Sequence, residues 1–133
     1  MRLVTDAAWA IMTIHQETAG EPQAGKLAVA RVIRNRMKQR YNSDGTVPGT
    51  VLRAYQFSGW NSSGGGRIRV ASLDDDDPVV KACAQAWLDS LILDPGVKDA
   101  VLYYDPEIVK TPPDWAVPGK FAARIGRHEF YNA

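Results

Sequence analysis

A mainly helical α+β fold with a small antiparallel β element is expected of this 133-residue chain, on three grounds. Apolar residues recur at three- and four-residue steps in three segments ahead of residue 92. β-Branched and aromatic residues gather later, in "AVLYYD" and "ARIGRHEFY". No linker of shifted composition divides the chain, so a single domain over 1–133 is expected. A chain of this size buries roughly two-thirds of its unfolded surface.

In the first segment Ala7, Ala10, Ile11 and Ile14 follow helical spacing, and the same face runs on to Glu17 and Thr18. Thr5 or Asp6 can cap its start, and Gly20 can close it in the left-handed conformation. Pro22 suits the first turn of a second helix, which carries Gly25, Ala28, Val29, Val32 and Ile33 on one face, with Lys26, Arg34 and Lys38 elsewhere. "YNSDGTVPG" is turn chemistry, followed by a short helical piece around Thr50 to Tyr55. The stretch "QFSGWNSSGGGRIRVASLDDDD" is too rich in Gly and Ser for a regular element throughout and reads as a long functional loop.

Asp77-Pro78 supplies a cap and first turn for the clearest helix, striped by Val80, Cys83, Ala84, Trp87, Leu88 and Leu91 and stopped by "DPG" at 94–96. "AVLYYD" suits a short strand, "PEIVKTPPDWAVPGK" a proline-rich loop, and "ARIGRHEFY" a second short strand.

Charge and cysteine content narrow the function. A formal charge of +1 gives no bulk attraction to nucleic acid or anionic membranes, and no basic patch suggests nucleic-acid binding. Cys83 is the sole cysteine, which excludes an intrachain disulfide and suits synthesis in a reducing cytoplasm. The N-terminal stretch, broken by Asp6, His15 and Gln16, is not a clean signal-peptide core, and no apolar run reaches the roughly 18 residues of a membrane span.

Glu17 is the residue that asks for explanation. It ends an apolar helical face, where desolvation and the negative helix terminus both favour its protonated form. A glutamic acid that keeps its proton near neutral pH is what glycosidic cleavage needs, because it protonates the departing oxygen. A boundary glutamate bridged to Arg31 or Arg34 is the plainer alternative. Glu21 competes less well: at the start of the second helix, the positive helix end stabilises its carboxylate.

The ordered blocks "HQETAGEPQAGKLAVARVIRNRM", "QFSGW", "AVLYYDP" with "PPDW", and "IGRHEFY" resemble the SleB-type cell wall hydrolases, the spore cortex-lytic enzyme family. Gln16 and Gly59, the latter where the family often has Cys, depart from that pattern. The resemblance implies a lysozyme-like catalytic domain that cuts peptidoglycan glycan strands between N-acetylmuramic acid and N-acetylglucosamine, as a lytic transglycosylase or a lysozyme. It places the catalytic glutamate on Glu17. In transglycosylation the sugar's own 6-hydroxyl displaces the leaving group, so one acid/base carboxylate suffices. A catalytic domain without a separate wall-binding domain suggests a phage endolysin, made in the host cytoplasm and released to the wall through a holin pore. A monomer without cofactor or metal is expected, acting on glycan strands and neither binding nucleic acid nor inserting stably in membranes. The alternative from another class is a non-catalytic wall-binding or virion structural module on the same fold.

Further candidates for the substrate groove are Gln56, Phe57, Ser58 and Trp60, whose aromatic faces and polar groups suit sugars, although Phe57 and Trp60 equally suit loop anchors. Tyr103 and Tyr104 alternate on the strand, so one is core and the other can reach the cleft, with Tyr104 the candidate for the cleft. Asp105 is a possible second carboxylate for hydrolysis, although an Asp-Pro turn explains it too. His128 is a candidate to orient cleft groups, whereas His15 lies on another helix face from Glu17. "DDDD" at 74–77 lacks the Gly and distal Glu of a calcium loop and reads as a helix cap within a solvated patch.

Overall fold

The computed structural model describes residues 5–53, 56, 57, 60, 74 and 76–133. Its helices are α1 (Asp6–Thr18), α2 (Gln23–Gln39), α3 (Val47–Val51) and α4 (Pro78–Asp89). Strands β1 (Leu102–Tyr104), β2 (Phe121–Ile125) and β3 (His128–Tyr131) form an antiparallel sheet of order β1-β3-β2. The mainly helical α+β expectation is met. No helix among the described residues is long and apolar enough to cross a membrane.

Helices α1 and α4 start at the caps that the sequence offers. Thr5 Oγ1 accepts from the Ala8 N–H, and Asp77 accepts from Val79 and Val80 N–H groups, so a short polar side chain satisfies donors that the first turn leaves free. The α2 face of Gly25, Ala28, Val29, Val32 and Ile33 is buried, and packs with Ala10 and Ile14 of α1, Cys83 and Trp87 of α4, and Phe130 of β3. Among these, Cys83 is a packed thiol whose pKa burial pushes up to about 11, which leaves it unreactive. A smaller cluster, with Val101, Leu102 and Tyr131 at its centre, includes Tyr104 and Trp115.

Several boundaries differ from the sequence reading. The short helix is Val47–Val51, because Thr46 caps it through the Gly49 N–H and Pro48 fits its first turn. Pro22 stands at the N-cap of α2, just before the helix. Helix α4 ends at Asp89, ahead of "DPG", and its buried side is Cys83, Ala86 and Trp87. Leu88 and Leu91 of the expected stripe are 59% and 63% exposed. Arg31 and Arg34 explain the early stop: Arg31 Nη1 and Arg34 Nε meet the Ser90 carbonyl and hydroxyl, and Arg34 Nη2 takes the Trp87 carbonyl. Neither is a partner of Glu17. The "ARIGRHEFY" segment holds two strands, because Gly126 at φ +58° turns the chain back between them.

Candidate active site

The last turn of α1 and the tight turn into α2 make one wall of a cleft of about 360 Å³. Glu17, Glu21, Asp105, Ile108, Arg127 and His128 line it. Gly20 does not end α1 in the left-handed conformation; Ala19 is the C-cap and is right-handed. The Thr18 carbonyl takes the Glu21 N–H, and Lys26, 4% exposed, adds a second donor: its Nζ reaches the carbonyl oxygens of Thr18 (2.9 Å) and Glu21 (2.5 Å). One buried ammonium thus sets the path of the chain between Glu17 and Glu21.

The opposite wall is fixed by two neighbouring side chains of α2. Asn35 Nδ2 donates to the carbonyls of Lys98 (2.8 Å) and Ala100 (2.9 Å). Arg36 Nε donates to the Val101 carbonyl at 2.6 Å. These bonds hold the segment that enters β1, and so place the next residues, Tyr103 and Asp105, against the end of α1. Arg36 is held in turn by Gln56, whose Oε1 accepts at 3.0 Å, and by the Phe57 ring 4.9 Å beneath its guanidinium.

Between the walls the Tyr103 hydroxyl donates to Glu17 Oε1 at 2.5 Å. The Tyr103 ring is edge-on to His128, with centroids 5.1 Å apart, and lies against Phe130 at 5.5 Å. Burial raises the Glu17 pKa above the ordinary 4.5, against the Tyr103 hydrogen bond and the charges of His128 and Arg36, while Glu21 adds a smaller push upward. The direction matches the expectation, and its main cause is burial; the helix end is already answered by Lys26.

The other carboxylates of the cleft are committed to partners. Glu21 Oε1 accepts from the Arg127 N–H (3.2 Å), and the His128 Nδ1 lies 3.0 Å from Oε2. Asp105 Oδ2 pairs with Arg127 Nη2 at 2.7 Å, and Oδ1 accepts from the Glu107 N–H at 2.8 Å. Burial pushes the Asp105 pKa up, but the Glu107 N–H, Arg127 and His128 outweigh it and hold the carboxyl below its ordinary value. The cleft therefore sets one carboxyl whose burial favours its proton beside carboxylates held by neighbouring groups, an arrangement suited to acid–base chemistry.

The sequence candidates fall unevenly around this centre. Glu17 and His128 line the cleft. Phe57 and Trp60, at 1% and 8% exposure, are core anchors and not groove residues; Trp60 Nε1 donates to Thr13 Oγ1 and the ring meets Trp9 edge-on. Gln56 faces Arg36 and Asn42, away from the cleft lining. Ser58 and most of the long loop lie outside the described residues. Tyr104 packs with Trp115 and Tyr131 in the smaller cluster, so Tyr103 is the tyrosine that reaches Glu17. Arg36 and Lys26 were missed as functional supports, since nothing in helical spacing reveals that a cation is buried under a carbonyl cluster.

Fold and site together set a buried glutamic acid in the cleft of a small α+β domain. A family profile described as "Cell Wall Hydrolase" matches residues 20–131. The chain belongs to the Cell Wall Hydrolase family, whose members are enzymes of cell-wall degradation. The matched span takes in Glu21, Tyr103 and His128, and begins three residues after Glu17. Among solved structures, the chain is similar to the catalytic domain of the germination-specific lytic transglycosylase SleB from Bacillus anthracis: 24% identity, TM-score 0.71, covering 96% of this chain and 93% of that one. It is likewise similar to the catalytic domain of the Bacillus cereus SleB protein: 24% identity, TM-score 0.74, covering 96% and 89%. Their shared architecture is the lysozyme-like α+β fold. No curated protein matches the chain.

Proposed function

We propose that the protein cleaves peptidoglycan glycan strands at the bond between N-acetylmuramic acid and N-acetylglucosamine, as a lytic transglycosylase with Glu17 as acid and then base. The observation that carries this reading is the pairing state of the cleft carboxyls. Burial raises the Glu17 pKa, while both oxygens of Asp105 are taken by neighbouring donors and Glu21 is tied to the Arg127 N–H and to His128. Hydrolysis with two carboxylates needs a second one free to activate water or attack the sugar. A sugar that supplies its own 6-hydroxyl needs only Glu17. Similarity to a SleB described as a lytic transglycosylase supports the same choice.

The test is digestion of purified peptidoglycan by wild type and Glu17→Gln, with sugar ends identified by mass spectrometry. Anhydro-muramyl ends that disappear in the variant are expected, because Gln keeps the shape but donates no proton at this site. Reducing muramic ends would instead assign hydrolysis. A folded wild type that binds walls and releases nothing would favour the wall-binding module.

For the biological setting we propose a monomeric phage endolysin, made in the host cytoplasm and released through a holin pore. The lone packed thiol of Cys83 suits storage in a reducing cytoplasm. Expression with and without a holin tests this: lysis confined to the co-expressing cells is expected, and lysis without holin would refute the release route.

A further inference from the structure

Among the described residues the Tyr103 hydroxyl makes one hydrogen bond, to Glu17, yet its ring is held independently of that bond. Phe130 lies against one face, the His128 edge meets it on another side, and the Asn35 and Arg36 latch fixes the chain that enters β1. A donor positioned in advance costs no reorganisation at the moment of reaction. Glu17 Oε2 accepts no hydrogen bond from any described residue, and Glu17 lines the cleft.

Resting on the assignment of Glu17 as the acid, we propose that Tyr103 is a positioning residue for the reaction: its hydroxyl fixes the Glu17 carboxyl through Oε1 and reserves Oε2 for proton exchange with the sugar. In the first step the Oε2 proton passes to the glycosidic oxygen as its bond to C1 breaks. In the second, the 6-hydroxyl oxygen bonds to C1 and its proton returns to Oε2, so the enzyme ends as it began. Tyr103 donates throughout both steps. Burial and the adjoining Glu17 carboxyl push the phenol well above its ordinary value, so it neither supplies the proton nor loses its own. Every element around the carboxyl contributes a group: Tyr103 from β1, His128 from β3, Arg36 from α2 and Glu21 from the turn after α1, with Asp105 and Arg127 bridged to each other on the cleft lining. Tyr103, His128 and Arg36 favour the charged carboxylate; burial and Glu21 favour the acid.

Tyr103→Phe keeps the ring contacts and removes the donor. Turnover on peptidoglycan is expected to fall about 10- to 100-fold with KM nearly unchanged, and the alkaline limb of the kcat profile to move up by about one pH unit, as a hydrogen bond that favours the carboxylate is lost. A fall in kcat without a shift of the limb would reduce Tyr103 to a packing residue and overturn the proposal. Incorporating a ring-fluorinated tyrosine at position 103 settles the matter if the Phe variant does not fold. As a stronger donor of nearly the same shape it should move the limb down, and an unmoved limb overturns the proposal. Glu17→Gln is assayed alongside: if that variant stays active, the acid assignment fails, an outcome distinct from failure of the Tyr103 role.

Discussion

Glu21 and His128 meet across the cleft, with the imidazole Nδ1 3.0 Å from Glu21 Oε2, so a side chain from the turn after α1 is tied to the start of β3. Both side chains are largely buried, and Glu21 Oε1 also receives the Arg127 N–H. Truncating the carboxylate would strand both donors. Glu21→Ala is therefore expected to cost about 1–3 kcal/mol, the range for leaving buried hydrogen-bonding groups without a partner. Urea unfolding measures it; a loss below about 1 kcal/mol would mean that water replaces the carboxylate without penalty.

Gly126 is coupled to the same carboxylate. Its φ of +58° is strained for any residue with a Cβ, and a Cβ there would stand 2.9 Å from Glu21 Oε1. Gly126→Ala should cost about 1–2 kcal/mol from the backbone alone, with a further cost from pushing Glu21 off its donors. In a Glu21→Ala background only the backbone part remains. Full additivity in the double-mutant cycle would show that the two residues do not touch energetically.

Local chemistry made the elements legible in the sequence. Thr5 and Asp77 caps, the small-residue face of α2 and the aromatic strand near 103 each act within a few residues of themselves, so spacing reveals them. Glu17 was legible for a related reason, as a carboxyl on an apolar helical face. What spacing could not show was which long side chains bury their charge. Lys26 reads as a solvated residue until the end of α1 is seen above it. The choice between Tyr103 and Tyr104 depended on which face of a three-residue strand meets α1, and alternation fixes only that they differ. Leu88 and Leu91 shared the stripe by spacing, but the buried side of α4 is Cys83, Ala86 and Trp87, which leaves Leu88 outward, and the helix stops at Asp89, before Leu91. Gly126 inside an alternating run was the one available sign of a hairpin.

Lys26 gives the third prediction. Its buried ammonium donates to the carbonyl oxygens of Thr18, at the end of α1, and of Glu21, in the turn before α2. Lys26→Met keeps much of the stem but removes the donor from both buried carbonyls, at a cost of about 1–3 kcal/mol. Because Glu17 and Glu21 flank the capped carbonyls, turnover should fall as well, even at temperatures where the variant is fully folded. Unfolding curves and initial rates on the same samples check both parts; unchanged turnover in a destabilised protein would separate the cap from the site.

The last prediction concerns the stability that Glu17 sacrifices. Its folded pKa lies above the ordinary 4.5, chiefly through burial. Between those two values the folded state binds more proton than the unfolded one, so stability falls as pH rises through the window and then levels off. Below 4.5 both states are protonated and the full stability is present. Glu17→Gln has no charge to bury, and its amide oxygen can still accept from the Tyr103 hydroxyl. The variant should therefore melt at a higher temperature than wild type near neutral pH, and the gap should close as the pH is lowered toward the ordinary carboxyl range. A stabilised but inactive variant is the signature of a residue kept for chemistry against the interest of the fold. Thermal unfolding of the two proteins across that pH range is the measurement. A gap that is constant with pH would mean that the two states bind the Glu17 proton equally, and the acid would then have to be sought at Glu21.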